Sequence, residues 1–337
     1  MLDDTFTPPP WIHQSESAGS EHTVTKPVSR ILRGDAEHVL DLIEDNSVQL
    51  CITSPPYNIG KVYERENPKT YEEYSEWCRV ITTKIVNKLK FGGSLCLQVG
   101  SYVKGDCIIP LDYIYFPIIS HLGLSFRNRI VWRYNFGLHS KSRLSGRYEV
   151  ILWFTKGPEY KFNLDRIRVP QLYPGKRHAA RKGDKGGTPS GNPLGKNPSD
   201  YWEFDPVSAF MTDPVWNIPN VKANHPEKTM HPCQFPIELA ERCVLALTDP
   251  GDLILDPFAG IGTSLVSAVA HDRHGVGIEL RDEYAAIAEE RISLVRRREL
   301  PVRASGQQIR VPLPNEKVAR LPREWADPQG ESSDGYK

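Results

Sequence analysis

Short apolar runs alternate with longer amphipathic stretches over residues 28–156 and again over 225–299. Val48 to Ile52, broken only by Gln49, has the length and apolar content of a buried strand. It runs into Ser54-Pro55-Pro56-Tyr57, where neither proline can donate a ladder hydrogen bond, so the chain must leave the sheet as a stiff turn. Ile31 to Asp35 is a shorter strand ending in Gly34-Asp35, and Asp35 is placed to cap a helix over Ala36 to Ile43. From Thr70 to Lys90 the pattern is helical, with Trp77, Ile81, Ile85 and Leu89 at four-residue steps. Phe91-Gly92-Gly93 ends that helix, and Ser94 to Val99 is the next buried strand. Strand, helix, strand predicts a parallel α/β sheet. A weaker helix spans Pro110 to Leu122 around Pro117. Leu124 to Trp132 and Glu149 to Thr155 are strands, with a basic loop or hairpin over 133–147 between them.

The pattern breaks from Gly157 to about Asn224. The run Gly175 to Gly187 has no apolar period, so it cannot pack a core and predicts a surface segment, disordered until a partner arrives. Tyr201, Trp202, Phe204, Phe210 and Trp216 suggest a small aromatic cluster after it. Regular structure returns at His231-Pro232-Cys233-Gln234-Phe235-Pro236, where Pro236 opens a helix with Leu239, Cys243, Val244 and Leu247 on one face. A strand over Leu253 to Leu255 follows. It leads through Asp256-Pro257-Phe258-Ala259-Gly260-Ile261-Gly262-Thr263-Ser264 into a helix, Ser264 to Ala270. Next come a strand ending at Glu279 and a helix over Asp282 to Arg298, capped by Asp282. The divisions expected are an arm (1–27), a first half of the main domain (28–156), an insertion (157–224), a second half (225–299) and a tail (300–337). There is no internal repeat.

Lys+Arg and Asp+Glu both number 42 in 337 residues, so net charge names no partner. The distribution does: Arg127 to Lys196 holds 16 basic against 4 acidic residues, a local footprint suited to a polyanion. A solvated charged loop and a polyanion contact are both open for this stretch. Six scattered cysteines form no C-x-x-C pair, which indicates neither a zinc site nor a disulfide framework. Reduced thiols, no basic-then-apolar leader and no bilayer-length apolar run point to the cytoplasm.

Two stretches carry chemistry. Ser54 brings a hydroxyl, Ser54 and Pro55 bring carbonyls that no ladder claims, and Tyr57 brings a flat ring. Acceptors beside a stacking surface suit the planar amino group of a nucleobase, although a plain strand stop would look the same. Further on, a strand, a loop with Gly260 and Gly262, a helix, a strand and the acidic Glu279 make a nucleotide-type βαβ unit. Glu279 follows Asp256 by 23 residues, as suits an acid that grips ribose hydroxyls. Leu265 stands where a dinucleotide fingerprint needs a third glycine, and the Walker lysine is missing.

The string Asp-Pro-Phe-x-Gly-x-Gly-Thr-Ser at Asp256 to Ser264 resembles the S-adenosylmethionine loop of amino-group DNA methyltransferases, and Ser54-Pro55-Pro56-Tyr57 resembles their catalytic motif. The order of the parts is similar to the permuted β group of that family, which methylates cytosine N4 or adenine N6. Gly34-Asp35 resembles the adenine-contacting strand end, Arg147 to Lys156 the strand closing the catalytic side, and His231 to Pro236 the helix-opening motif near the cofactor's methionine end. The resemblance covers residues 30–295. Pro232-Cys233-Gln234 also looks like the nucleophile motif of cytosine carbon-5 methyltransferases, but there it follows the cofactor loop, and here it precedes it.

The resemblance implies a Rossmann-like S-adenosylmethionine-dependent methyltransferase sheet with helices on both faces and an irregular basic insertion for target recognition. It implies S-adenosylmethionine contacts at Asp35, Asp256, Phe258, Gly260, Gly262, Thr263, Ser264, Glu279 and His231, and catalysis by Ser54, Pro55, Pro56 and Tyr57. The DNA contacts expected are Arg133, Lys141, Arg143, Arg147, Lys176, Arg177, Arg181, Lys182 and Lys185. A flipped-out cytosine in double-stranded DNA would be methylated at N4, to which Ser54 leans, with adenine N6 as the alternative and no metal required. A non-catalytic nucleic-acid-binding module fits less well, because the Gly260/Gly262 loop and Glu279 are intact. The partners expected are double-stranded DNA and a cognate restriction endonuclease acting separately, with the chain a monomer or homodimer.

Overall fold

The computed structural model describes residues 27–60, 64, 68–104, 107–134, 141–171, 173–202, 221, 225–231 and 233–303. The arm over 1–26, the tail beyond 303, and Phe204, Phe210 and Trp216 lie outside the described residues. Ten strands are described: β1 (Ser29–Arg33), β2 (Val48–Thr53), β3 (Leu89–Val99), β4 (Ser101–Lys104), β5 (Cys107–Pro110), β6 (Ser125–Arg133), β7 (Tyr148–Thr155), β8 (Tyr201–Trp202), β9 (Leu253–Asp256) and β10 (His274–Glu279). The α-helices are α1 (Ala36–Val39), α2 (Tyr71–Lys88), α3 (Asp112–His121), α4 (Ile237–Leu247), α5 (Thr263–Ala270) and α6 (Asp282–Arg297).

Eight strands form one sheet in the order β1-β10-β9-β2-β3-β7-β6-β8, while β4 and β5 make a separate hairpin. β7 is antiparallel to both of its neighbours, and the other pairs in the sheet are parallel. All six residues of β2 are buried, as a strand covered on both faces requires. Successive side chains of β2 enter different cores: Cys51 packs in the cluster under α1, α2 and α3, and Leu50 and Ile52 in the cluster with α4. Removing each such side chain from water contributes about 1.5–3 kcal/mol. A third cluster joins α5 and α6 to Ile31 of β1.

Some element boundaries differ from those expected. The helix from Tyr71 passes directly into β3 at Leu89, so Phe91-Gly92-Gly93 lies within strand instead of separating two elements. The segment after β7 folds back on itself through bridges Val169↔Lys196 and Arg177↔Pro189, with His178 N donating to Thr188 O at 2.9 Å. Ile167, Val169 and Trp202 anchor its base in the α4-side core. The segment is therefore ordered by its own backbone and a few apolar anchors, without the periodicity of a helix or a strand. The N-cap of α6 is Arg281; Asp282 is the first helical residue and lies 3.4 Å from Arg33 Nη1. Leu300 and Arg303 are buried, so the packed chain extends past the predicted start of the tail.

Candidate functional site

β2 and β9 lie side by side and parallel, with Leu50 opposite Ile254 and Cys51 opposite Leu255. Their carboxyl ends therefore project the Ser-Pro-Pro-Tyr turn and the glycine loop from the same edge of the sheet. Asp35 follows β1 and Glu279 ends β10 at that edge as well. Between them opens a cavity of about 910 Å³. Ser54, Pro55, Pro56, Tyr57, Asp35, Phe258, Gly260, Thr263, Glu279 and His231 all line it.

The turn is tied down on both sides. The Tyr74 hydroxyl donates to Pro56 O at 2.8 Å, and Ser54 Oγ lies 3.3 Å from the Tyr57 hydroxyl. Beyond it, the backbone N–H groups of Asn58 and Ile59 donate to the Glu64 carboxylate, each at 2.8 Å. Burial pushes the Tyr57 phenol well above its ordinary range, so it stays un-ionised.

Asp256 couples the two loops. Its carboxylate accepts from Thr53 Oγ1 at 2.6 Å, from Phe258 N at 3.1 Å and from Ser264 Oγ. Burial, working against these three donors, pushes its carboxyl up to about 6. Gly262 caps α5 with φ 73°, and a Cβ there would stand 2.9 Å from the Ala288 Cβ, so glycine is needed for both conformation and packing. Asp256, Gly262 and Ser264, read from the motif as cofactor contacts, thus sit behind the cavity wall and shape it. Asp256 is 1% exposed, and its carboxylate is engaged by the protein.

Glu279 accepts from Gly260 N at 2.8 Å and Arg281 N at 2.9 Å, which fixes its carboxylate at the cavity's edge. Asp35 both caps α1, accepting from Glu37 N at 2.9 Å, and lines the cavity. His231 Nδ1 accepts from Cys233 N at 3.2 Å, and its ring meets Tyr284 edge-on at 4.7 Å. Burial first, then Lys228 and Arg291, hold its imidazole down at about 4, so it is neutral at physiological pH.

Several lining residues went unread in the sequence. Trp77, counted as helix core, reaches the cavity and packs at 5.5 Å against Phe258. Gln98, Trp132, Glu149 and Tyr284 line it too. The available signal was a polar residue at the end of an otherwise apolar run, Gln98 after Leu95-Cys96-Leu97 and Glu149 before Val150-Ile151-Leu152. Of the expected DNA contacts, Lys141, Arg143, Lys176, Arg177, Arg181 and Lys185 are exposed, whereas Arg133, at the end of β6, and Arg147 are half-buried. The Lys182 side chain lies outside the described residues.

A cavity of this size with Glu279, an aromatic wall from Trp77 and Phe258, and close backbone at Gly260 fits a nucleoside carrying a short charged tail. Sheet order, loop placement and cavity together define the class of Rossmann-like methyltransferases. A family model described as DNA methylase matches residues 48–290. The type II methyltransferase M.BglII of Bacillus subtilis is 46% identical over 267 residues, covering 79% of this chain and 69% of that protein. The DNA adenine methyltransferase YhdJ of Escherichia coli is 29% identical, covering 78% and 82%. The Thermus thermophilus protein TTHA0409, in its structure complexed with S-adenosyl-L-methionine, superimposes with a TM-score of 0.53 at 27% identity, covering 81% of this chain and 95% of that one. The chain belongs to the DNA methylase family whose members act on the amino groups of adenine N6 or cytosine N4.

Proposed function

We propose that this chain transfers a methyl group from S-adenosylmethionine to N4 of cytosine in double-stranded DNA, as the modification arm of a restriction-modification pair. The observation that carries the reading is the shared cavity between two loops tied by the Thr53–Asp256 hydrogen bond, 2.6 Å long across 203 residues of sequence. Similarity to proteins named type II methyltransferases supports the restriction-modification context.

Glu279 takes the ribose hydroxyls, Trp77 and Phe258 the adenine face, and Asp35 the adenine edge; the support is that all four line the cavity. His231, Gly260 and Thr263 border the methionine end. Bound there, S-adenosylmethionine supplies an electrophilic methyl group on a sulfonium. Target chemistry falls to the turn. The exocyclic amine is a poor nucleophile because its lone pair is delocalised into the ring, and within a duplex it is out of reach, so the base leaves the stack. Ser54 Oγ and the Pro55 carbonyl accept the two amine hydrogens, which draws the nitrogen toward a tetrahedral shape and frees its lone pair. Tyr57 offers the face on which the base stacks. The nitrogen would take the methyl as the sulfonium is left a neutral thioether, and would shed one of its two protons to water; holding both reactants in one cavity supplies much of the rate.

The choice of cytosine follows the family's lean at Ser54. Adenine N6 is the second reading, favoured by similarity to a protein named as an adenine methyltransferase. Nucleoside mass spectrometry of DNA incubated with the chain and methyl-labelled cofactor decides between them: N4-methylcytosine is expected, and N6-methyladenine replaces the first reading with the second. The target-recognition role of 157–224 and its basic residues belongs to the same proposal. Its support is the charge concentration from Arg127 to Lys196.

A further inference from the structure

Past the Ser-Pro-Pro-Tyr turn the cavity continues into a polar corner that the mechanism above does not use. Gln98 lies near the end of β3 and Glu149 near the start of β7, and the antiparallel pairing of Val99 with Val150 sets them on the same face of the sheet. Gly100 lies beside Glu149 and leaves space there. Tyr57 Cε2 at 3.2 Å and Glu149 Oε1 at 3.3 Å both crowd the point where a Cβ on Gly100 would stand. The Tyr57 ring and the Glu149 carboxyl therefore share one small volume, open to the cavity that Ser54 also lines. Gln98 Nε2 donates to Glu149 Oε2, which leaves Oε1 as the oxygen on the Tyr57 side. The Gln98 carboxamide oxygen is buried with no hydrogen-bond partner among the described residues.

The groups that neighbouring elements bring to this corner are two phenols, a thiol and an indole, with one arginine close by in the chain. Tyr57 comes from the turn after β2, Tyr134 from the end of β6 and Cys233 from the segment before α4. Trp132 stands opposite Glu149 across the β6–β7 pair, and Arg147 lies just ahead of β7. Burial pushes the Glu149 carboxyl up to about 7, against the Gln98 donation that lowers it. At neutral pH about half of the carboxyl groups therefore hold a proton to donate.

We infer that Glu149, oriented by Gln98, reads the ring nitrogen adjacent to the target amine, donating a hydrogen bond to N3 of a flipped cytosine or N1 of a flipped adenine. The inference rests on the reading that an amino-bearing base enters this cavity. In cytosine and adenine that ring nitrogen is an acceptor, whereas thymine N3 and guanine N1 carry a hydrogen. A neutral carboxyl thus selects cytosine and adenine and sets donor against donor for thymine and for guanine, although guanine too has an exocyclic amine. The proton stays on Glu149, and no bond to it forms or breaks. Ionised Glu149 would oppose a lone pair with a lone pair, so productive binding is lost as pH rises through the carboxyl's pKa.

The test is the pH profile of methyl transfer into unmethylated genomic DNA by the full chain at saturating cofactor, for wild type, Glu149→Gln and Glu149→Ala. A carboxamide keeps a donor at every pH. Wild-type kcat/KM is expected to fall about tenfold per unit above about pH 7, while Glu149→Gln loses that limb and overtakes the wild type there. Glu149→Ala is expected to fall about tenfold or more throughout. A Glu149→Gln enzyme that is inactive yet binds cofactor by calorimetry overturns the inference. So does a wild-type rate that climbs with pH through neutrality, as a carboxylate base would require. Infrared difference spectra of wild type against Glu149→Gln need no turnover. A protonated-carboxyl band titrating near neutrality is expected, and a group already ionised at about pH 5 sinks the donor role. Nucleoside analysis of the same reactions reports separately on the base: either amino base leaves the Glu149 assignment standing, so an error in the choice of cytosine is seen for what it is.

Discussion

Asp256 governs two loops from behind the cavity wall. Replacing it with asparagine puts a donor among three donors, and the variant is expected to lose about 1–3 kcal/mol of stability by denaturant unfolding, together with cofactor affinity. The pH dependence of that loss has a definite sign. The folded carboxyl is raised to about 6 from an ordinary 3.8, so its stabilising contribution is full below 3.8 and is lost as pH rises through 6. Wild type should therefore gain on Asp256→Asn as pH falls from about 7 to about 5, as unfolding curves at the two pH values would reveal. Cys233 is the contrasting residue. It lines the cavity, and its backbone N–H donates to the His231 ring. A covalent mechanism would need its thiolate; the amine mechanism does not. Cys233→Ser is expected to keep transfer rates within about threefold, and complete loss would reinstate the carbon-5 chemistry. A motif string is silent on this kind of distinction. Asp256, Gly262 and Ser264 belong to the same nine-residue signature as Phe258, Gly260 and Thr263, yet the path of the turn gives the first three to the wall and the second three to the cavity.

Among the elements, those with strong periodicity were legible, and their ends were less so. The helix from Tyr71 was evident from its four-residue steps, and Thr70 and Glu73 stand at its start. In the structure these form a reciprocal cap, with Glu73 N donating to Thr70 Oγ1 at 3.2 Å and Thr70 N to the Glu73 carboxylate at 2.7 Å. Thr70→Ala should cost about 1 kcal/mol in chemical denaturation without altering cofactor binding. The other end was misjudged because glycines usually punctuate. Here Gly92 and Gly93 lie inside β3, at the register shift in its pairing with β2, where Gly92 N donates to Lys156 O and Lys156 N to Gly93 O. The fold-back over 167–196 escaped notice for a related reason. Two isolated bridges and a few turn hydrogen bonds hold it, and such interactions leave no hydrophobic period to find. Gln98 and Glu149 could have been flagged as polar residues in buried strands, but their shared corner depends on the β3–β7 register, which is a property of the pair and not of either strand.

At the level of the whole molecule, the parallel part of the sheet and the meeting of the two motifs were foreseeable, because both loops follow strands and such loops gather at one edge, whereas the antiparallel β7 was not. The partition of charge was foreseeable too, though not its path. The exposed basic residues between 141 and 185 sit on loops beyond the sheet. If they track a phosphate backbone, replacing Lys176, Arg177, Arg181 and Lys185 together by alanine should weaken DNA binding for all sequences. It should also flatten the slope of log affinity against log salt by about 0.9 for each phosphate that is no longer neutralised. Equilibrium binding over a salt series measures both quantities, and an unchanged slope would move the interface elsewhere.

The pairing of β2 with β9 has a bearing on how the molecule is made. During synthesis the wholly buried strand β2 emerges early, yet its neighbour on one side is encoded some two hundred residues later, as the 203-residue separation of Thr53 and Asp256 records. Until the ribosome has delivered that neighbour, a sticky backbone edge stands open at the centre of an unfinished protein. The nascent chain is then a natural client for chaperones and cannot methylate anything, because half of its cofactor pocket has yet to be translated.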